Sequence, residues 1–342
     1  MRQVIEDSTA AGRDGAGGRD ASARRAEQRE QRVSTGLLEL ERWLTDQIRQ
    51  GIAGTKAAGH AHWDDVARRL VDAQAPGVAG AVARLGATLS GEDWPGRLLG
   101  EYGLLYLLTA AYRGRAGLPA DLVRTVRSRI GFPVTREEVL AGAGVRDVWD
   151  VLGLRDEEQD RLIARRVWLR GRRTGRSALV LSFAPPGRPL DATLATGTAV
   201  DADLAFYAGA VPLRALVAAR HAAPYAFTGP PPGTGPAAAL GEVAAALAGD
   251  PWLESWPLVL SGVVPTRDGG ADVRDGGADA GEAGWMLADA SGEGLALHPG
   301  AGAPWTLVAT SGGAPVTVAA EWTPWGLVPL TTWDEDGRTV VV

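Results

Sequence analysis

The chain has 342 residues, 45% of them hydrophobic, and a formal charge of −6, enough to bury a sizeable core in two or three domains. Its excess of acid offers no general attraction to nucleic acid or to an anionic membrane surface. With no cysteine at all, disulfides, thiolate nucleophiles and thiolate metal sites are excluded. Lys56 is the lone lysine among 35 basic Lys and Arg residues, so Schiff-base or P-loop lysine chemistry would rest on one side chain. No secretory h-region opens the chain, and no run of about 18 apolar residues lacks a charge. A cytoplasmic protein is expected.

Residues 1–23 are mostly Gly, Ala, Asp and Arg, with little to bury against the cost of ordering them. They are expected to form a disordered arm. From Arg24 the text changes: Val33, Leu37, Leu40, Leu44 and Ile48 make the stripe of one amphipathic helix, with RRAEQREQR as its charged first turns. Trp63, Val66 and Leu70, then Val78, Val82, Leu85 and Leu89, repeat the same period between Gly and Pro breaks.

GEDWPGRLLGEYGLLYLLTAAYRG is the most apolar helix, with Leu98, Tyr102, Leu105 and Tyr106 expected in a shared core. LPADLVRTVRSRIGFP starts at Pro119 and stops at Gly131 and Pro133. TREEVL, with Thr135 and Glu138, reads as a capping box. Residues 24–142 therefore predict a helical domain.

After Gly144 the apolar residues fall into short runs at hairpin spacing. VRDVWDVLGL, RLIARRVWLRG and SALVLSFAP predict an antiparallel meander, TAVDADLAFY a further strand and PLRALVAARH a short helix, together a domain over 145–228. GPPPGTGP, residues 229–236, reads as a Pro/Gly linker. Residues 237–342 predict a helix, AAALGEVAAALAGDPWLESW, and strands at PLVLSGVVP, GWMLAD, PWTLVAT, PVTVAAEW and GLVPLTTW. The fold class expected is α+β, a helical domain followed by a β-rich antiparallel region. RDGGAD, repeated from Arg267 and Arg274, reads as a solvated acidic loop.

Few constellations carry chemistry. Arg165, Arg166, Arg170, Arg172 and Arg173 crowd the hairpin 161–176, where a two-stranded ribbon could contact nucleic acid or protein. Against that, Asp156, Glu157, Glu158 and Asp160 lie just ahead and could neutralise them across strands. Asp201 and Asp203 alternate along a strand, and His60, His62, His221 and His298 are scattered. Neither set matches a metal-binding pattern. No GxSxG, P-loop or dinucleotide motif occurs, and no metal, cofactor or catalytic residue is assigned. Twelve tryptophans are present. Trp285, Trp305, Trp322, Trp325 and Trp333 suit a β core better than a ligand groove, and Trp252 and Trp256 a wedge at a domain junction.

RRAEQREQRVSTGLLELERWLTDQIRQGIAG, VDAQAPGVAG, TVRSRIGFPV, RRVWLRG with TGRSALVLSFAPPG, AVDADLAFYAGAVPLRALV and DPWLESWPL together resemble the region after the finger in actinobacterial SWIM zinc-finger family proteins. The resemblance runs from about Arg24 onward. The family's CxCx(n)CxH finger is missing here, so no zinc ligand carries over to any position. The resemblance implies a non-catalytic adaptor role beside AAA ATPases, with a protein partner, no cofactor and no membrane. Two alternatives stay open: nucleic-acid binding through residues 161–176, and an enzyme of unrecognised hydrolase type.

Overall fold

The structure, a computed structural model, describes residues 3–59, 61–90, 93–159, 162–267 and 284–342. The chain divides into two compact units, Met1–Pro133 and Val134–Val342.

The first unit is helical. α1 (Gln3–Gln50) carries the predicted stripe, and Val33, Leu37, Leu40 and Leu44 are all buried. Ile48 is not: it lies past the packed stretch, half exposed. The helix also runs back through the segment expected to be a disordered arm. Once the buried stripe has nucleated it, each further residue adds a backbone hydrogen bond.

After the single turn α2 (Thr55–Ala58), α3 (Ala61–Asp72) buries Trp63, Val66 and Leu70, and α4 (Pro76–Arg84) buries Val78 and Val82. α5 (Trp94–Arg113) buries Leu98, Tyr102 and Leu105, but Tyr106 faces out, 45% exposed. α6 (Ala120–Ile130) ends at Gly131, whose φ of 107° is the left-handed cap that glycine adopts without a steric penalty. A Cβ on Gly77 would stand 2.2 Å from the Arg129 carbonyl, so α4 and α6 approach as closely as they do only because that position is glycine.

The Glu30 carboxylate ties α1 to this bundle. It accepts the Tyr112 hydroxyl at 2.9 Å and pairs with Arg115 and Arg127 at 3.1 and 3.0 Å.

The second unit opens with α7 (Arg136–Leu140), whose Thr135 and Glu138 form the reciprocal capping box. It packs on the strands that follow, so the helical unit ends at Pro133 and not near 142. Those strands are β1 (Val145–Gln159), β2 (Leu162–Gly171), β3 (Ser177–Ala184), β4 (Thr198–Phe206), β5 (Arg214–Arg220) and the short β6 (Tyr225–Ala226). The pairing runs β1-β2-β3-β5-β4, and β1 also pairs with β4. That closes a five-stranded barrel, with β3 and β5 parallel and the other pairs antiparallel. Its interior holds Trp149, Val151, Val167, Leu169, Val200 and Leu204.

PLRALVAARH is thus strand β5 and not the helix expected. Leu213, Ala215 and Val217 alternate at period two, and closure of the barrel overrides helix propensity.

The same topology recurs. After α8 (Pro236–Gly249) come β7 (Trp256–Arg267), β8 (Trp285–Ala288), β9 (Gly294–Ala296), α9 (Trp305–Ser311), β10 (Val316–Thr323), β11 (Gly326–Trp333) and β12 (Thr339–Val341). β7 pairs with β8 and β10, β8 with β9, and β10 with β11. A parallel bridge from Leu297 to Leu327 closes the ring.

Read as first to fifth strand, both rings run 1-2-3-5-4 and back to 1, the Greek-key closure of an OB-type barrel. In each, the long first strand is bent by a bulge, at Val151/Gly153 in β1 and beside Gly262 (φ 69°) in β7. That bend lets one half pair with the second strand and the other with the fourth. PWTLVAT, expected as a strand, is α9, which plugs the second barrel with Leu307.

The two barrels pack against each other. Leu152, Trp168 and Leu179 from the first share a cluster with Val259, Ala319, Leu330 and Trp333 from the second and Ala246 from α8. Gly153 makes this possible, because a Cβ there would lie 2.6 Å from Leu330 Cβ.

Residues 229–236 are not a linker between two domains. Thr234 donates to Val259 O and accepts from Ser261 N, both at 2.9 Å, so strand β7 satisfies both backbone groups of Thr234.

Candidate interaction surface

The arginine-rich hairpin is β2, its turn, and β3. Along β2 side chains alternate, so Arg166, Trp168 and Arg170 share one face and Arg165, Val167 and Leu169 the other. The first face is turned to the second barrel and α8. Arg166 lies 3.0 Å from Glu321 of β10 and donates to the Ser255 hydroxyl at 2.6 Å. Trp168 is fully buried, and Arg170 reaches Glu242 of α8 at 3.5 Å. Arg155 meets the other Glu321 oxygen at 3.1 Å and also pairs with Glu157. Glu321, 1% exposed, is therefore a buried anion between two guanidiniums. This is the outer face of the second and third strands, which OB-type barrels commonly present to ligands.

On the opposite face Arg165 grips Asp156 with two hydrogen bonds, 2.8 and 2.7 Å, from directly across the strand pair. That bidentate contact holds the Asp156 carboxyl below its ordinary range. Arg172 donates to the buried Asp150 at 2.9 Å. Burial, with the charge of Asp147 added, raises the Asp150 pKa despite Arg172. Arg173 donates from Nη2 to the Arg146 carbonyl and has no carboxylate partner among the described residues. Arg165, Arg166, Arg170 and Arg172 are each paired with a carboxylate of their own chain, as the preceding acids suggested in part. Arg161 and Asp160 lie outside the described residues.

The turn that carries Arg172–Arg176 is built on Asp147. Its carboxylate accepts the backbone N–H of Val148 (2.8 Å), Arg173 (3.1 Å) and Thr174 (2.8 Å) and the Thr174 hydroxyl (2.7 Å). Burial pushes the Asp147 carboxyl up, but these four donors together bring it below its ordinary value. Gly171 leaves room for the carboxylate, since a Cβ there would meet Asp147 Oδ2 at 2.6 Å.

The other singled-out residues do not converge. Asp201 pairs with Arg146 at 3.1 Å and Asp203 with His221 at 2.9 Å, two separate contacts on one strand face. His62 bonds Gln47 at 2.8 Å. Burial lowers the His298 pKa, helped by the charge of Arg155, and its Nδ1 accepts the Gly300 N–H. Among the described residues no three His, Asp or Glu side chains gather as a metal site. His60, and the RDGGAD repeats beyond Arg267, fall outside those residues.

The C-terminal tryptophans divide. Trp333 is buried, Trp285 and Trp322 pack on the second barrel's core, and Trp305 is 62% exposed against Trp285. Trp252 and Trp256 are not a helical pair, because α8 stops at Gly249 ahead of Pro251 and Trp256 opens β7.

Sequence reasoning missed Glu242, 72 residues from Arg170, and Glu321, more distant still from Arg155 and Arg166, and only the barrel topology brings them there. No helix among the described residues is long and apolar enough to cross a membrane. No curated protein and no solved structure matches the chain. Residues 28–130 match the family model of the SWIM-associated four-helix bundle domain, and the match supports a SWIM-associated family for this chain.

Proposed function

We propose that the chain is a non-catalytic docking module, the body of an actinobacterial SWIM-type protein that binds a protein partner such as an AAA ATPase. The site of action on this reading is cytoplasmic. One observation carries it: in the bundle that matches the SWIM-associated domain, α5 is apolar on two sides. Leu98, Tyr102 and Leu105 fill the core, while Leu99, Tyr106 and Leu107 are 52%, 45% and 44% exposed. A helix that is hydrophobic all round pays for its outer face in water unless something covers it. The pairing of Arg165, Arg166, Arg170 and Arg172 with carboxylates weighs against nucleic-acid binding by residues 161–176 as one surface.

The test is size-exclusion chromatography with a purified MoxR-type AAA ATPase. Co-elution is expected, and Leu99→Glu with Tyr106→Glu should abolish it while the circular dichroism spectrum is kept. Separate elution at about ten micromolar of each, or co-elution unaffected by the two substitutions, would rule the proposal out.

A further inference from the structure

At the turn end of the first barrel, three guanidiniums have no carboxylate partner among the described residues: Arg173, Arg176 and Arg214. The acids nearby are committed elsewhere. Asp150 holds Arg172, Asp201 holds Arg146, Asp203 faces His221, and Asp147 is filled by its four donors. Positive charge is thus left over at this end of a chain that is acidic in sum.

Two of the three cations lie over aromatic rings. Arg176 lies 4.0 Å from the centroid of Phe206 and Arg214 4.4 Å from that of Tyr207. The two rings are consecutive residues where β4 ends, and Tyr207 N–H bonds Arg214 O at 2.9 Å. A guanidinium stacked on a ring has lost most of its rotational freedom already. Arg214 is exposed and Arg176 half-buried, so both guanidiniums are still reached by solvent.

We propose that this rim, Arg173, Arg176 and Arg214 backed by Phe206 and Tyr207, binds single-stranded nucleic acid. Bases stack on the outer faces of the two guanidiniums, and their N–H groups and those of Arg173 take phosphate oxygens. An acidic peptide would use the N–H edges alone and leave the stacked planes idle. The Asp147 cradle is the positioning device, because it fixes the turn between Arg172 and Arg176. This activity goes beyond the docking role proposed for the bundle.

The test is fluorescence anisotropy of a labelled oligothymidylate of about 20 nucleotides with the full chain at about 50 mM salt. Saturable binding is expected, with log K falling against log salt at a slope of about −2 for three phosphate contacts. Arg173→Gln and Arg214→Gln, both at exposed positions, should each weaken binding severalfold, and the triple variant with Arg176→Gln at least about tenfold. Arg165→Gln, tied to Asp156, should change it less than about twofold. The proposal is overturned by an absence of binding at that salt, by an unchanged affinity of the triple variant, by an equal loss in Arg165→Gln, or by polyglutamate or duplex DNA binding as tightly as the single strand.

Discussion

Arg166 Nη2 stands 3.0 Å from Glu321 Oε1, joining β2 of the first barrel to β10 of the second through an almost fully buried carboxylate. Arg155 completes the bridge at 3.1 Å from the other oxygen. Both contacts hold by charge more than by aligned hydrogen bonds, since neither Glu321 oxygen accepts one.

Removing the anion strands two partly buried cations against a protein surface. Glu321→Ala is therefore expected to lower the stability of the second unit by about 3 kcal/mol or more. Urea denaturation followed by tryptophan fluorescence measures it, and adding Arg155→Met and Arg166→Met should recover much of the loss. A change below about 1 kcal/mol in Glu321→Ala alone would show that the bridge does not hold the barrels together.

Gly153 faces Leu330 with no room for a methyl group. Gly153→Ala should cost about 1–3 kcal/mol by overpacking. Leu330→Ala empties the same spot, so the pair should be non-additive by about 1 kcal/mol in a double-mutant cycle. Strict additivity would separate the two residues.

The Asp147 carboxyl titrates below its ordinary value because four donors stabilise its charged form. A carboxyl depressed in the folded state contributes stability that is present above its unfolded pKa, about 3.9, and is lost as pH falls through the folded value. Asp156 and Asp191 act in the same direction, and Asp150, raised by burial, in the opposite one. The urea midpoint should thus fall as pH drops below about 4, and Asp147→Asn should flatten that fall while lowering the midpoint at neutral pH. An identical pH profile in the variant would contradict the cradle.

In the bundle, Glu30 receives Tyr112, Arg115 and Arg127 from two other segments. Glu30→Ala should destabilise the helical unit by about 2 kcal/mol through lost charge-assisted hydrogen bonds, read as a lower melting temperature of the helical signal. Glu30→Gln, which keeps acceptor capacity, should lose less.

Elements with a short repeat are legible in the sequence. The 3–4 spacing of Val33, Leu37, Leu40 and Leu44 and the box at Thr135 and Glu138 are local, and both stand in the structure. Tyr106 and Ile48 continue the apolar text but face water, because composition does not say on which turn a helix leaves its neighbours. At the hairpin, the partner of Arg165 was readable, since Asp156 lies across one turn of chain. The partners of Arg166 and Arg170 come from distant elements and left no signal nearby.

What this sequence determined by itself was the class of each local segment and the chemistry that cysteine's absence removes, since periodicity, caps and side-chain inventory act over a few residues. Only the tertiary structure decided that two five-stranded barrels share one topology, that a Pro/Gly stretch is sewn to β7, and which arginines are spent and which remain. Those outcomes depend on strand closure and on burying one outer barrel face against another, energies that arise between residues far apart in the chain.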